Sequence, residues 1–304
     1  MLLKNKIPLK FLFRKTRSEI IFVSFLSVII GMADELFHVG GIAIPLAIPS
    51  ILGTAISLIL AFRTGQSYNR WWEARIVWGA IVNDSRTLTR QLLGFIDIGG
   101  EEAGQAATLV QKMVYRQMAW SYALGRSLRK QSPLKDAKQF LSEEELVQVA
   151  KQDNVPNALL QLQTADLKKA FRKGWVNPYQ QVQLDETLKR LCDSMGKSER
   201  IKNTVFPATY SLIVHLFLYL FILLLPFALV DDLGFIQIPL VITVAIAFFL
   251  IEKTAIYLQD PFENLPTDTP VTSIARTIEI NLRQMLNETE VPETVKPEKN
   301  FYLM

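Results

Sequence analysis

Residue types that commonly carry covalent chemistry are scarce in this chain. It has one cysteine, Cys192, and two histidines, His38 and His215. No Cys/His set has metal-ligand spacing, and there is no Gly-rich phosphate loop or GxSxG elbow. A membrane-embedded enzyme is therefore disfavoured, and neither a cofactor nor a bound metal is expected. The suggestive spacings are of another kind. Thr54, Leu58 and Phe62 are four apart, so they stack on one helix face. Arg63, Arg70 and Arg75 follow directly. Glu252 and Lys253 close an apolar run, where snorkelling to the interface is the simplest account. His215 lies inside another apolar run and reads as an interhelical hydrogen-bond partner. Asp260-Pro261-Phe262-Glu263-Asn264 reads as a helix terminator that docks the tail. Calcium needs six to eight oxygens from a compact loop, and Glu263 and Asp268 alone do not supply them.

The elements that position these residues follow from how charge is distributed. Half of the 304 residues are hydrophobic. No Lys or Arg occurs from Ser18 to Phe62 or from Asn203 to Glu252. A soluble surface needs charge, so these blocks predict an all-α polytopic membrane protein. The expected spans are a short run at Ile20–Met32, a helix opened by Ser50 as N-cap after Pro49, Val205–Val230, and Ile236–Ile251 continuing towards Asp260. Gly40 to Pro49 is apolar but broken by Gly and Pro, which predicts a turn and a short helix. Asp231-Asp232-Leu233-Gly234 reads as a tight turn.

Phe62, Trp71, Ala74, Trp78, Ile81, Ser85 and Leu88 recur at three- and four-residue spacing. The second span thus continues as one long amphipathic helix. Residues 100 to 202 read as a helical soluble domain. Ser142 and Glu145 form a capping box there, and Asn154-Val155-Pro156-Asn157 breaks the helix that follows. Ile274 to Leu286 is a helical patch in a polar tail. The expected organisation is 1–95 (N-terminus, first two spans and the extension), 96–202 (cytosolic helical domain), 203–260 (third and fourth spans) and 261–304 (tail). Arg and Lys lie in the N-terminus, central domain and tail, and none lies near Asp34-Glu35 or Asp231-Asp232. The positive-inside rule puts both termini and the central domain in the cytoplasm of a plasma (inner) membrane, with four spans. The N-terminal run lacks a small-x-small site and does not read as a cleavable signal. The net charge of +4 reflects this topology and implies no nucleic-acid partner.

The stretch Ala61-Phe62-Arg63-Thr64-Gly65-Gln66-Ser67-Tyr68-Asn69-Arg70-Trp71-Trp72-Glu73-Ala74-Arg75, continued by Trp78-Gly79, resembles the bestrophin family, bacterial members in particular. Further similarities are Arg200-Ile201, Pro207, Tyr210, Leu225 to Val230, Asp260-Pro261-Phe262 and Thr277 to Leu282. The resemblance implies a homopentamer around a central pore, with Thr54, Leu58 and Phe62 lining a hydrophobic neck that gates by dewetting. Thr54 would make the outer ring more polar than the apolar residue often found there. The resemblance also implies a cytosolic aperture near Tyr179 and Val182. Permeant ions would be chloride, as in eukaryotic relatives, or sodium, as in bacterial ones. Arg63 and Arg70 could attract anions at the inner mouth; marking the interface and pairing locally, Arg70 with Glu73, is the simpler reading. Trp71, Trp72 and Trp78 read as packing residues. A secondary transporter would call for inverted repeats, and none is visible.

Overall fold

The computed structural model describes residues 16–37, 44–96, 102–204 and 206–296. The basic residues before Thr16, His38, the two glycines Gly40 and Gly41, and Val205 lie outside the described residues. The described elements are all helical. In chain order they are α1 (Arg17–Phe37), α2 (Ala47–Phe95), α3 (Ala103–Leu128), α4 (Leu134–Ala137), α5 (Glu143–Val149), α6 (Val155–Arg172), α7 (Pro178–Asn203), α8 (Ala208–Leu233), α9 (Gln237–Gln259) and α10 (Val271–Met285). Single turns of 3-10 helix occupy Lys138–Phe140 and Gly234–Ile236. The described residues form two compact units: one holds those from Thr16 to Trp71 with Thr204–Asp260, the other those from Trp72 to Asn203 and from Pro261 to residue 296. The division thus falls inside α2. The boundary expected after residue 95 lies within the second unit, because Ala74 to Ile96 pack into that unit's core.

The first unit is built from α1, the first half of α2, α8 and α9. Ala47–Phe95 and the helical stretch Thr209–Gln259 are long and apolar enough to cross a membrane. Their core joins Val23, Ile56, Leu60, Val214, Leu218, Val241 and Phe249. Gly53 lets the helices approach closely: a Cβ there would meet the Phe221 ring at 3.0 Å. Gln237 donates to the Ser27 carbonyl at 3.1 Å, so a buried amide is partly satisfied between α1 and α9. α8 runs through Asp231 and Asp232 to Leu233, and the turn comes at Gly234, φ 52°. The acids therefore end the helix and do not form the turn, since Gly takes the left-handed conformation at no steric penalty. α2 begins at Ala47, not at Ser50. The Ser50 hydroxyl donates back to Leu46 O at 2.7 Å, and Pro49 sits in the first turn, where no N–H is needed.

The second unit packs α3 against α4, α6, α7 and α10. Trp78, Ile81, Leu88 and Leu92 contribute the buried stripe of α2. Trp78 is fully buried, whereas Trp72 is half exposed and is not a core residue. α5 starts at the expected box: the Ser142 hydroxyl accepts from Glu145 N at 3.3 Å, and Glu145 Oε2 accepts from Ser142 N at 3.1 Å. Asn154 does more than break a helix, since its side chain accepts from Asn157 N at 3.0 Å and caps α6.

Buried Arg116 ties α3, α5 and α6 together. Its Nε donates to Glu145 Oε1 at 2.9 Å, Nη1 to Gln163 Oε1 at 3.1 Å and Nη2 to Asp166 Oδ2 at 2.7 Å. Burial works to raise the Glu145 carboxyl pKa. The charge and hydrogen bonds of Arg116 oppose this, with help from Ser142 N–H and Lys112, and hold it below its ordinary value.

Candidate functional site

The first half of α2 is two-sided. Ile56 and Leu60 are each 1% exposed, whereas Leu58 is 74% and Phe62 56% exposed. Thr54 shares the outward stripe. Its hydroxyl donates to Ser50 O at 2.9 Å, which spends its proton inside the helix. Ser57 does the same towards Gly53 O at 2.8 Å. The stripe is therefore less polar than the threonine alone suggests. The α2 end of the stripe is pinned by α8: the Tyr210 hydroxyl donates to Ile59 O at 3.0 Å, and its ring lies 6.2 Å from the Phe62 ring.

Arg63, one residue on, turns the other way. It is 2% exposed. Its Nη2 donates to Ser211 Oγ at 3.2 Å, its guanidinium lies 5.5 Å from the centre of the Phe206 ring, and Nη1 is 3.8 Å from Glu252 Oε1. A charge presented at an inner mouth would be solvated; this one is enclosed by α8 and α9. Arg70 is half-buried, and its Nε donates to Gln259 O at 2.8 Å. Glu73 pairs with Arg200.

Glu252 was expected to snorkel. It is fully buried, with His215 Nδ1 at 3.1 Å and Arg63 beyond. Neither carboxylate oxygen has a hydrogen-bond partner among the described residues. Lys253 instead pairs with Glu19 of α1 at 2.9 Å. The three-way meeting of Arg63, His215 and Glu252 is the main feature that sequence reasoning missed. Its one signal was an acid and a histidine inside otherwise uncharged runs.

The other candidates lie in the second unit. Tyr179 and Val182 are 85% and 67% exposed at the start of α7. That start is capped: Asn177 N donates to Gln180 Oε1 at 2.8 Å and Gln180 N to Asn177 Oδ1 at 2.9 Å, with Pro178 as first helical residue. Asp260 ends α9 as its C-cap, and Phe262 is fully buried in the core of the second unit. The loop after it closes on itself. Leu265 N donates to Asp268 Oδ2 at 3.0 Å and Thr269 N to Pro261 O at 3.1 Å. Asp268 thus serves as a loop cap. Among the described residues no cluster of three or more His, Cys, Asp or Glu is placed to hold a metal ion.

These features define a helical membrane protein with an apolar spanning unit and a polar helical unit. The chain belongs to the bacterial/fungal bestrophin family, whose model matches residues 12–284. It is 32% identical over 263 residues to the voltage-dependent anion channel-forming protein YneE of Escherichia coli (strain K12), covering 86% of this chain and 84% of that one. A second such protein, RSc3414 of Ralstonia nicotianae, is 30% identical over 239 residues, 79% of this chain and 76% of its own. The crystal structure of a bacterial bestrophin homologue from Klebsiella pneumoniae superposes with a TM-score of 0.82 at 30% identity, covering 89% of this chain and 98% of that one.

Proposed function

We propose that the chain forms a homopentameric, bestrophin-type ion channel that conducts monovalent ions passively across the plasma (inner) membrane. It crosses the bilayer four times, through α1, the first half of α2, α8 and α9, with both termini in the cytoplasm. The observation that carries this reading is the outward stripe of α2. Thr54, Leu58 and Phe62 face away from their own unit at i, i+4 spacing, while Ile56 and Leu60 hold the helix in place from behind. Five copies of that stripe make an apolar neck, which controls passage by dewetting and does not choose the sign of the ion. Small residues beside the stripe, Ser50, Gly53 and Ser57, suit the close approach of neighbouring helices in a membrane. Tyr179 and Val182, exposed on a capped helix start, form the second constriction.

The names of the curated relatives favour anions. The test is the reversal potential of the purified protein in liposomes under a salt gradient, chloride against sodium. Leu58→Ala raises the conductance and leaves the sign of the reversal potential unchanged. A monomer by light scattering in mild detergent, or silence in liposomes under every ionic condition, would overturn the proposal.

A further inference from the structure

A separate feature lies on the second half of α2, where none of the neck or aperture residues takes part. Arg86, Thr87 and Arg90 line an open groove of about 520 Å³ together with Asn281, Gln284 and Met285 of α10. Arg86 and Arg90 are one turn apart, so both guanidiniums serve one side of α2. Arg86 Nε and Nη2 both donate to Asn281 Oδ1, at 2.9 and 2.6 Å. That bond holds the guanidinium in position and leaves the Asn281 amide NH₂ as a donor. Among the described residues Arg90 has no acceptor, and no carboxylate lines the groove. Two cations, a fixed amide and a hydroxyl without an acid form a donor-rich surface suited to an oxyanion, which guanidinium forks bind in bidentate fashion.

An apolar slot follows along the same two helices. It has a volume of about 320 Å³ and is lined by Leu92 and Leu93 of α2, Val110 of α3 and Leu286 after α10, among others. Leu93 lies three residues beyond Arg90 and Leu286 directly after Met285, so slot and groove are consecutive. Glu288, which also lines the slot, is paired with Arg283 at 2.7 Å and accepts a hydrogen bond from the Tyr115 hydroxyl at 2.8 Å. It therefore offers little repulsion to an anion. Burial, and next Glu288, keep the Tyr115 hydroxyl protonated by raising its pKa.

The geometry points to a binding site for a small phosphate ester with an apolar or aromatic body, the phosphate between Arg86 and Arg90 and the body against Leu93 and Leu286. Charge complementarity selects the head, and the adjoining slot selects the body. The inference stands independently of ion conduction, because binding is read directly.

The experiment uses the full chain in mild detergent and measures binding of inorganic phosphate, phenyl phosphate and phenol by ligand-observed NMR and calorimetry. Phenyl phosphate is expected to bind saturably and at least tenfold more tightly than phosphate, with phenol weakest. Arg86→Gln with Arg90→Gln should abolish phenyl phosphate binding, and Leu93→Asn should remove only its advantage over phosphate. Lys130→Gln, exposed elsewhere in the unit, should change nothing. Equal binding by wild type and the double arginine variant would overturn the site. So would an absence of saturable binding, or a change in oligomeric mass in the double variant, which would assign these arginines to a protein interface.

Discussion

Arg63 and Arg116 are two arginines of nearly equal burial, 2% and 1% exposed, and they meet their carboxylates in different ways. Arg116 donates to Glu145, Gln163 and Asp166 from all three of its nitrogens, and Glu145 is bound by a helix cap as well. Among the described residues Arg63 donates only from Nη2, to Ser211, and leaves Nε and Nη1 without an acceptor; Glu252 faces it across 3.8 Å with His215 Nδ1 at 3.1 Å and neither oxygen hydrogen-bonded. A buried charge needs both a partner and hydrogen bonds to offset desolvation. The polar unit meets that condition. The spanning unit meets it less completely, with Ser211 Oγ at 3.2 Å the one acceptor of Arg63 among the described residues and His215 Nδ1 the nearest partner of Glu252. The two clusters use the same groups and differ in how completely those groups are satisfied.

The contrast makes graded predictions. The largest effect is expected from Arg116→Met, which strands three acceptors at once; breaking a buried pair from one side costs about 3–5 kcal/mol, read as a large fall in thermal midpoint. A midpoint within a degree of wild type would remove the scaffold role. Next comes acid. The Glu145 carboxyl is held below its ordinary value of 4.5, so its contribution is present above that pH and lost as pH falls through the lowered folded value. Wild-type stability should fall below about pH 4.5, and Glu145→Gln should flatten that limb. An unchanged slope in the variant would show that other carboxylates carry the acid response. The smallest effect is expected in the spanning unit. Replacing the pair together, Arg63→Met with Glu252→Leu, should leave stability within about 1 kcal/mol of wild type or raise it, because no charge-assisted hydrogen bond joins them. A loss of several kcal/mol would show that the pair is a structural bond after all.

How much of this was legible in the sequence depended on the range of the interaction. The Ser142–Glu145 box and the stripe from Ala74 through Trp78, Ile81 and Ser85 to Leu88 are local codes at three- and four-residue spacing, and both appear in the fold; Phe62 and Trp71, expected in the same stripe, are not buried with it, and Phe62 is 56% exposed. So does the stacking of Thr54, Leu58 and Phe62. The start of α2 was misplaced by three residues, because Pro49 is as acceptable inside a first turn as before one. Glu252 was misjudged because its partners are Arg63 and His215, on other helices, and no local pattern joins those positions. The inward turn of Arg63 was hidden for the same reason: directly after an outward Phe62, it takes its direction from helix rotation and from what α8 and α9 offer.

The central claim is that the Leu58 face of α2 lines the ion path. Cysteine accessibility tests it most directly, in a Cys192→Ser background that removes the one native thiol. In reconstituted channels, a small water-soluble thiol reagent should block current through Leu58→Cys within seconds and leave Leu60→Cys unaffected, since Leu60 is 1% exposed in the helical core. Block of Leu60→Cys with Leu58→Cys insensitive would contradict the account and turn the other face of α2 towards the pore.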